Sequence, residues 1–148
     1  MRDTLDSQAL AEAAVGRMLA NDRASARLGM RLLEVRPGYA RIAMTVTEAM
    51  LNGFSICHGG MIFALADTAF AAGCNSWGPV AVGAGTTMDF LKSGQVGDEL
   101  VAVCECVSQS GRTGLYDVTV RNQHGEVVAV MRGRSYRVGN NKTQDQAG

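Results

Sequence analysis

The chain has 148 residues, a length suited to one domain with its own core, and 14 Lys plus Arg balance 14 Asp plus Glu. With no excess positive charge to neutralise phosphates, the composition argues against nucleic acid as the main partner. No apolar run reaches the ~18 residues of a membrane span, and the opening MRDTLDSQ is too polar for a secretory signal.

Taken in chain order, Leu10, Ala14 and Met18, with Val15 and Leu19, recur at helical steps, so residues 6–20 read as an amphipathic helix that Asn21-Asp22 breaks. Residues 28–35 and 39–46 read as two strands joined at the turn pair Pro37-Gly38. In the second, Ile42, Met44 and Val46 alternate with Arg41, Ala43 and Thr45. A loop, MLNGFSICHGG, leads into a long apolar helix over 60–77. Four further strands follow at 80–91, 99–108, 114–122 and 127–138, separated by Ser93-Gly94, Ser110-Gly111 and His124-Gly125. Tight loops make the last of these antiparallel. The expected domain is 1–138, with 1–20 as its N-terminal helix and the polar stretch 139–148, GNNKTQDQAG, as a disordered tail. The four cysteines, Cys57, Cys74, Cys104 and Cys106, contain no CxxC pair, which suits small buried thiols in a cytoplasmic protein.

The long helix carries the chemical question. Between Met61 and Cys74 only Asp67 and Thr68 are neither apolar nor Gly. The neighbours of Asp67 at helical steps are Phe63, Ala64, Phe70 and Ala71, which leave no polar stripe for it to sit on. A helix apolar all round must be surrounded, and one curved sheet cannot close the circle, so a second copy of the chain is the natural cover. An ionised carboxylate buried without partners costs several kcal/mol, so Asp67 reads either as a structurally satisfied acid or as a working acid in a pocket.

His58-Gly59-Gly60 stands where that helix starts. Glycine admits a ligand close to the backbone, and the first N–H groups of a helix lack internal acceptors. They can therefore polarise a carbonyl and stabilise an oxyanion; the alternative is that the glycines only shape the loop. Asp67 lies eight residues beyond Gly59, ~12 Å along the axis at 1.5 Å per residue, so the two cannot serve one reacting atom from the same helix. They can do so from two antiparallel copies in a two-fold dimer with two equivalent sites. A carboxylate facing a polarised carbonyl suggests acyl transfer to water, with Asp67 either as general base or as a nucleophile forming an anhydride.

The segment LNGFSICHGGMIFALADTAFA, followed by TTMDFLKSG, GDEL and GLYDVTVRNQHGEVVAVMRGRSYR, resembles the hotdog-fold acyl-CoA thioesterases, in the PaaI branch of phenylacetate degradation, over most of the chain. The resemblance implies an α+β hotdog fold, a long central helix wrapped by a curved antiparallel β-sheet. It implies Asp67 as the acid, Gly59 as the oxyanion donor and Asn52 as the residue that positions water or thioester. His58, Gly60, Thr68, Phe54 and Asn21 fall at substrate-binding positions. Thr68 would hold the water or the acid, Asn21 would sit near the acyl end, and Phe54 stands where close relatives often carry a polar residue, frequently His. It further implies no metal and no organic cofactor beyond the coenzyme A of the substrate, and dimers paired into tetramers with active sites shared between subunits. The expected substrate is an aryl-acetyl-type thioester carrying ring hydroxyls. Two rival readings are a hotdog β-hydroxyacyl dehydratase or hydratase, which would need a His paired with a carboxylate, and a non-catalytic acyl-CoA sensor, which should lack the carboxylate. Lys92, Arg112, Arg132 and Arg134 are candidates for the coenzyme's phosphates, and Met61, Met88 and Phe90 for core or acyl-pocket lining.

Overall fold

A computed structural model describes the backbone of residues 2–139 and the side chains from residue 6 onward. The polar tail expected over 139–148 lies outside the described residues beyond Gly139. The elements run α1 (Arg2–Ala20), α2 (Arg23–Arg27), β1 (Arg31–Arg36), β2 (Tyr39–Thr45), a 3-10 turn (Glu48–Met50), α3 (Gly59–Asn75), β3 (Ala81–Phe90), β4 (Glu99–Ser110), β5 (Thr113–Arg121) and β6 (Val127–Arg137).

Two boundaries differ from expectation, for identifiable reasons. The first strand begins at Arg31 rather than at Leu28, because Asp22 caps an extra short helix, α2. Its Oδ1 accepts the Ser25 N–H at 2.9 Å. Gly29 then turns the chain through a left-handed φ of 68° before β1 can start. The long helix ends at Asn75 rather than at Trp77. There the Ser76 hydroxyl donates to the Gly73 carbonyl at 2.6 Å and accepts the Gly38 N–H at 2.7 Å, tying the helix end to the β1–β2 turn.

All six strands join one antiparallel sheet in the order β1-β2-β4-β5-β6-β3. After α3 the chain must reach the far edge of the sheet, where β3 pairs with β6 and leaves its own outer side open. The α3 helix lies across one face, against β2 through β6. Period-two alternation aims the sheet at it: Tyr116, Val118 and Val120 of β5 are buried while Leu115, Asp117 and Thr119 are only half-buried. Phe70 from the helix meets Tyr116 in a tilted pair with ring centroids 5.7 Å apart. Burying the Phe70 side chain contributes roughly 1.5–3 kcal/mol, and such a ring pair adds about 0.5–1.5 kcal/mol.

The sheet covers only one side of α3. Down the other side, Gly60, Phe63 and Asp67 are exposed, and Ala64, Thr68 and Ala71 are half-buried. The helix expected to be buried all round is therefore open along one stripe in the single chain, and Asp67 lies on that stripe. The stripe is apolar around its one carboxylate, as the sequence pattern requires. Among the described residues no helix is long and apolar enough to cross a membrane.

The helix can approach the sheet closely only because residue 73 has no side chain. A Cβ there would stand 2.5 Å from Cys104 Sγ and 3.3 Å from Cys104 Cβ. Ala in place of a helical Gly gains about 1 kcal/mol in propensity, but overpacking against a fully buried strand residue costs typically 1–3 kcal/mol, so the clash prevails. Gly73→Ala is therefore expected to lower the thermal midpoint by several degrees, about 4–8 °C per kcal/mol for a small domain. Adding Cys104→Ala, which removes the sulfur, should restore part of the loss in the same calorimetric scan; strictly additive losses would show that the close approach does not limit the site.

Candidate active site

The site is built at the start of α3 and the loop that feeds it. An α-helix begins with N–H groups that have no acceptor inside the helix. Here most of them are claimed by His58. Its Nδ1 accepts the Gly60 N–H at 2.9 Å, and its carbonyl accepts the N–H groups of Met61 at 2.9 Å and Ile62 at 3.3 Å. An Nδ1 that accepts carries no proton, which leaves Nε2 as the ring's donor. The Gly59 N–H is left without an acceptor among the described residues. It is a polar donor at the positive end of a helix dipole worth roughly half a charge. The Gly60 N–H, by contrast, is taken by His58.

The preceding loop is pinned at several points. Leu51 and Cys57 form an isolated bridge, and the Asn52 N–H donates to Ile56 O at 2.8 Å. The His58 N–H reaches Met50 O, and the Cys57 N–H reaches Gly94 O, each at 2.8 Å. Asn52 Oδ1 accepts the backbone N–H of Phe54 at 2.9 Å and that of Ile56 at 3.4 Å. Its oxygen thus stabilises the loop, while its Nδ2 donors make no hydrogen bond to any described residue. Within that loop Ser55 takes a left-handed φ of 58°, the one described non-glycine residue to do so.

Asn52 and Gly59 share a cavity of about 300 Å³, with Ile62, Phe90, Lys92 and Ser93 among its walls. Lys92 is the one candidate phosphate-binding cation in that wall, and it pairs with Glu126 at the rim. Arg132 is instead held by a two-pronged contact with Asp117, at 2.7 and 3.0 Å, beside a separate surface cavity. Cys57 lines the site but is buried, and desolvation, with Asp98 behind it, pushes its thiol up. It is therefore a packing residue and a poor nucleophile at neutral pH.

The other predicted residues lie apart from this cavity in the single chain. Asp67 sits two turns further along α3. Partial desolvation, and secondly the charge of Asp22, hold its carboxyl above the usual carboxylate range even though the residue is exposed. Thr68 spends its hydroxyl on Ala64 O at 2.7 Å within the helix. Asn21 donates its Nδ2 to Arg17 O at 3.1 Å, closing the end of α1. Phe54 projects from the loop tip, 87% exposed. The structure thus brings Asn52, His58 and Gly59 together and leaves Asp67, Thr68, Phe54 and Asn21 outside. One feature escaped the sequence reading: the contact of Phe90 with Gly59. His at the residue before a helix start was a readable cap signal; a contact between strand end and helix start had none. Among the described residues no three His, Cys, Asp or Glu side chains are grouped to hold a metal ion.

Known proteins resemble this chain in sequence and in fold. The family model of the thioesterase superfamily matches residues 54–129. The acyl-coenzyme A thioesterase PaaI of Escherichia coli strain K12 is 46% identical over 122 residues, covering 82% of this chain and 87% of the relative. The structure of the E. coli PaaI protein from the phenylacetic acid degradation operon superposes with a TM-score of 0.89 at 43% identity, covering 90% of this chain and 96% of that one. A mutant of the phenylacetic acid degradation protein PaaI from Thermus thermophilus gives 0.76 at 35% identity, covering 79% of this chain and all of the other. The chain belongs to the thioesterase superfamily, among the acyl-coenzyme A thioesterases of the PaaI type. Its fold is the hotdog fold, with α3 as the central helix in the curve of the sheet.

The direction of the Asp67 shift sets the sign of its effect on stability. A carboxyl raised in the folded state is favoured there in its protonated form, so its charge costs stability at pH 7, and that cost disappears as pH falls through the folded pKa. Asp67→Asn should therefore leave the thermal midpoint at pH 7 unchanged or higher in a calorimetric melt. A fall of several degrees would identify the carboxylate as an anchor of the fold.

Proposed function

We propose that this chain hydrolyses an aryl-acetyl-type acyl-coenzyme A, one carrying ring hydroxyls being the preferred form, to the free acid and coenzyme A. The observation that carries the reading is the single unclaimed N–H of Gly59, which opens on a cavity beside the free Nδ2 of Asn52. Two donors lining one cavity suit a thioester oxygen, which gains negative charge as the carbonyl carbon becomes tetrahedral. Removing one such donor costs about 10²–10³ in turnover. The aryl-acetyl preference is supported by the phenylacetic acid degradation relatives alone.

Asp67 is the reacting acid, supplied by a second copy of the chain. Along one helix its backbone lies ~12 Å from Gly59, beyond the reach of an Asp side chain. The open stripe of Gly60, Phe63, Ala64, Asp67 and Ala71 gives the second helix a surface to lie on. Antiparallel packing about a two-fold axis then places each Asp67 opposite the other copy's Gly59. As general base, Asp67 takes a proton from the water that attacks the carbonyl carbon; as nucleophile, it attacks the carbon itself and water cleaves the anhydride. Its raised basicity favours the first route. In either route the thiolate of coenzyme A leaves and is protonated. Pairs of such dimers form the tetramer, and the reaction needs no metal or organic cofactor.

A thiol-release screen over aryl-acetyl and straight-chain acyl-coenzyme A substrates tests the activity; loss of water from a β-hydroxyacyl substrate without thiol would favour the lyase instead. The acid limb of kcat/KM should have its midpoint above the ordinary Asp value of ~3.9, and activity should fall as pH drops through it. Asp67→Asn and Gly59→Pro should each be nearly inactive, the second because Pro carries no N–H and also sets ring atoms against Phe90. Equal mixing of the two inactive proteins should return about a quarter of wild-type turnover, since half the dimers are hybrids with one intact site. No recovery after verified subunit exchange would rule out the shared site.

A further inference from the structure

The fit between Phe90 and Gly59 suggests a second reason, besides the oxyanion contact, for the absence of a side chain at position 59. Phe90 is the last residue of β3, paired with Ala129 of β6. The chain beyond it is anchored, because the N–H groups of Leu91 and Lys92 both donate to Val128 O, at 2.8 and 3.2 Å. That anchoring aims the ring at the start of α3. A Cβ on Gly59 would lie 3.2 Å from Phe90 Cζ and 3.4 Å from Cε1. The tip of the ring therefore borders the place of a side chain so tightly that it would have to give by a few tenths of an ångström to admit one. Phe90 is also 54% exposed, although it is among the larger apolar side chains of the chain. It lines the same cavity as Asn52 and Gly59. A half-exposed aromatic ring beside the one free helix N–H keeps water from one side of that donor, and a hydrogen bond in such a poorly hydrated spot is stronger than one in bulk water.

We propose that Phe90 is a positioning residue for thioester hydrolysis: its ring forms a fixed wall beside Gly59 that holds the carbonyl in line with the free N–H. The inference rests on the hydrolase reading for its kinetic part and on steric contact alone for its packing part. The wall works only while position 59 has no side chain, so Phe90 and Gly59 form a coupled pair. Widening the pocket at 90 leaves a bound thioester free to shift, and a misplacement near 1 Å is enough to cost up to about 10² in rate.

The experiment measures kcat and KM for wild type, Phe90→Leu, Phe90→Ala, Gly59→Ala and the Gly59→Ala/Phe90→Ala double variant, using phenylacetyl-coenzyme A, with thermal melts of each protein. Phe90→Ala should lower kcat by about tenfold or more with a smaller change in KM, and Phe90→Leu should retain more of it. Gly59→Ala should be impaired, and adding Phe90→Ala should recover part of that loss in both turnover and melting temperature. Unchanged kcat and KM in a folded Phe90→Ala protein would overturn the positioning role, and so would losses that simply multiply in the double variant. If wild type releases no thiol from any acyl-coenzyme A, the hydrolase reading fails by itself. The melting temperatures would still show whether the two positions are coupled, and additive melts would overturn the steric part as well.

Discussion

The hydrogen bonding of His58 at the start of α3 is the constraint from which the rest of the site follows. Its ring takes the Gly60 N–H and its carbonyl takes those of Met61 and Ile62. One donor, on Gly59, remains at the positive end of the dipole. A Ser or Asp cap would satisfy the same helix start equally well in energetic terms. The imidazole differs in bulk and in carrying a second ring nitrogen beyond the one that caps. The loop before it is held with comparable economy: one Asn side chain closes the turn with its oxygen and keeps both amide protons for other use.

The second constraint is geometric. An α-helix advances by a fixed 1.5 Å per residue, so a donor at one end and an acid two turns along cannot meet. Nor can a six-stranded sheet close around a helix packed on one of its faces. Both facts leave the same stripe of α3 uncovered, and that stripe holds the acid. The open outer side of β3 adds unpaired backbone groups at the neighbouring edge of the sheet. The architecture is thus complete as a fold and incomplete as a covered surface. Partial desolvation has already begun to raise the Asp67 carboxyl in the single chain, and closer cover would extend that effect.

Much of this was readable from the amino acids. Alternation and Gly-containing turns located β2 and the last four strands to within a few residues, because side-chain period and turn chemistry are local properties. The position of α3 followed from its unbroken apolar run, and the separation of Asp67 from Gly59 followed from residue count alone. The misses have non-local or side-chain causes. Helix α2 depends on one cap bond from Asp22 and is too short to show a period. The end of α3 at Asn75 depends on Ser76 bonding to a turn some forty residues earlier in the chain. The exposure of Asp67 was hidden because a stripe made of Gly, Phe and Ala looks identical to a buried one; hydrophobicity reports what a surface prefers, not whether one chain can cover it. The hydrogen bonds of Thr68 and Asn21 in the single chain could not be read either, since a hydroxyl or amide bonded to nearby backbone has the same letter as one that is not.

The far end of α3 has a spectroscopic consequence. Trp77, the sole tryptophan of the chain, donates its indole N–H to the Tyr116 hydroxyl at 3.0 Å, and that hydroxyl in turn donates to Gln109 Oε1 at 2.7 Å. The relay joins the helix end to the β4–β5 hairpin, about 24 Å from Gly59 at the usual rise per residue. Indole emission therefore reports whether the helix is seated on the sheet and is nearly blind to events in the cavity beside Gly59. A fluorophore would have to be introduced near the helix start before light could follow a ligand arriving there.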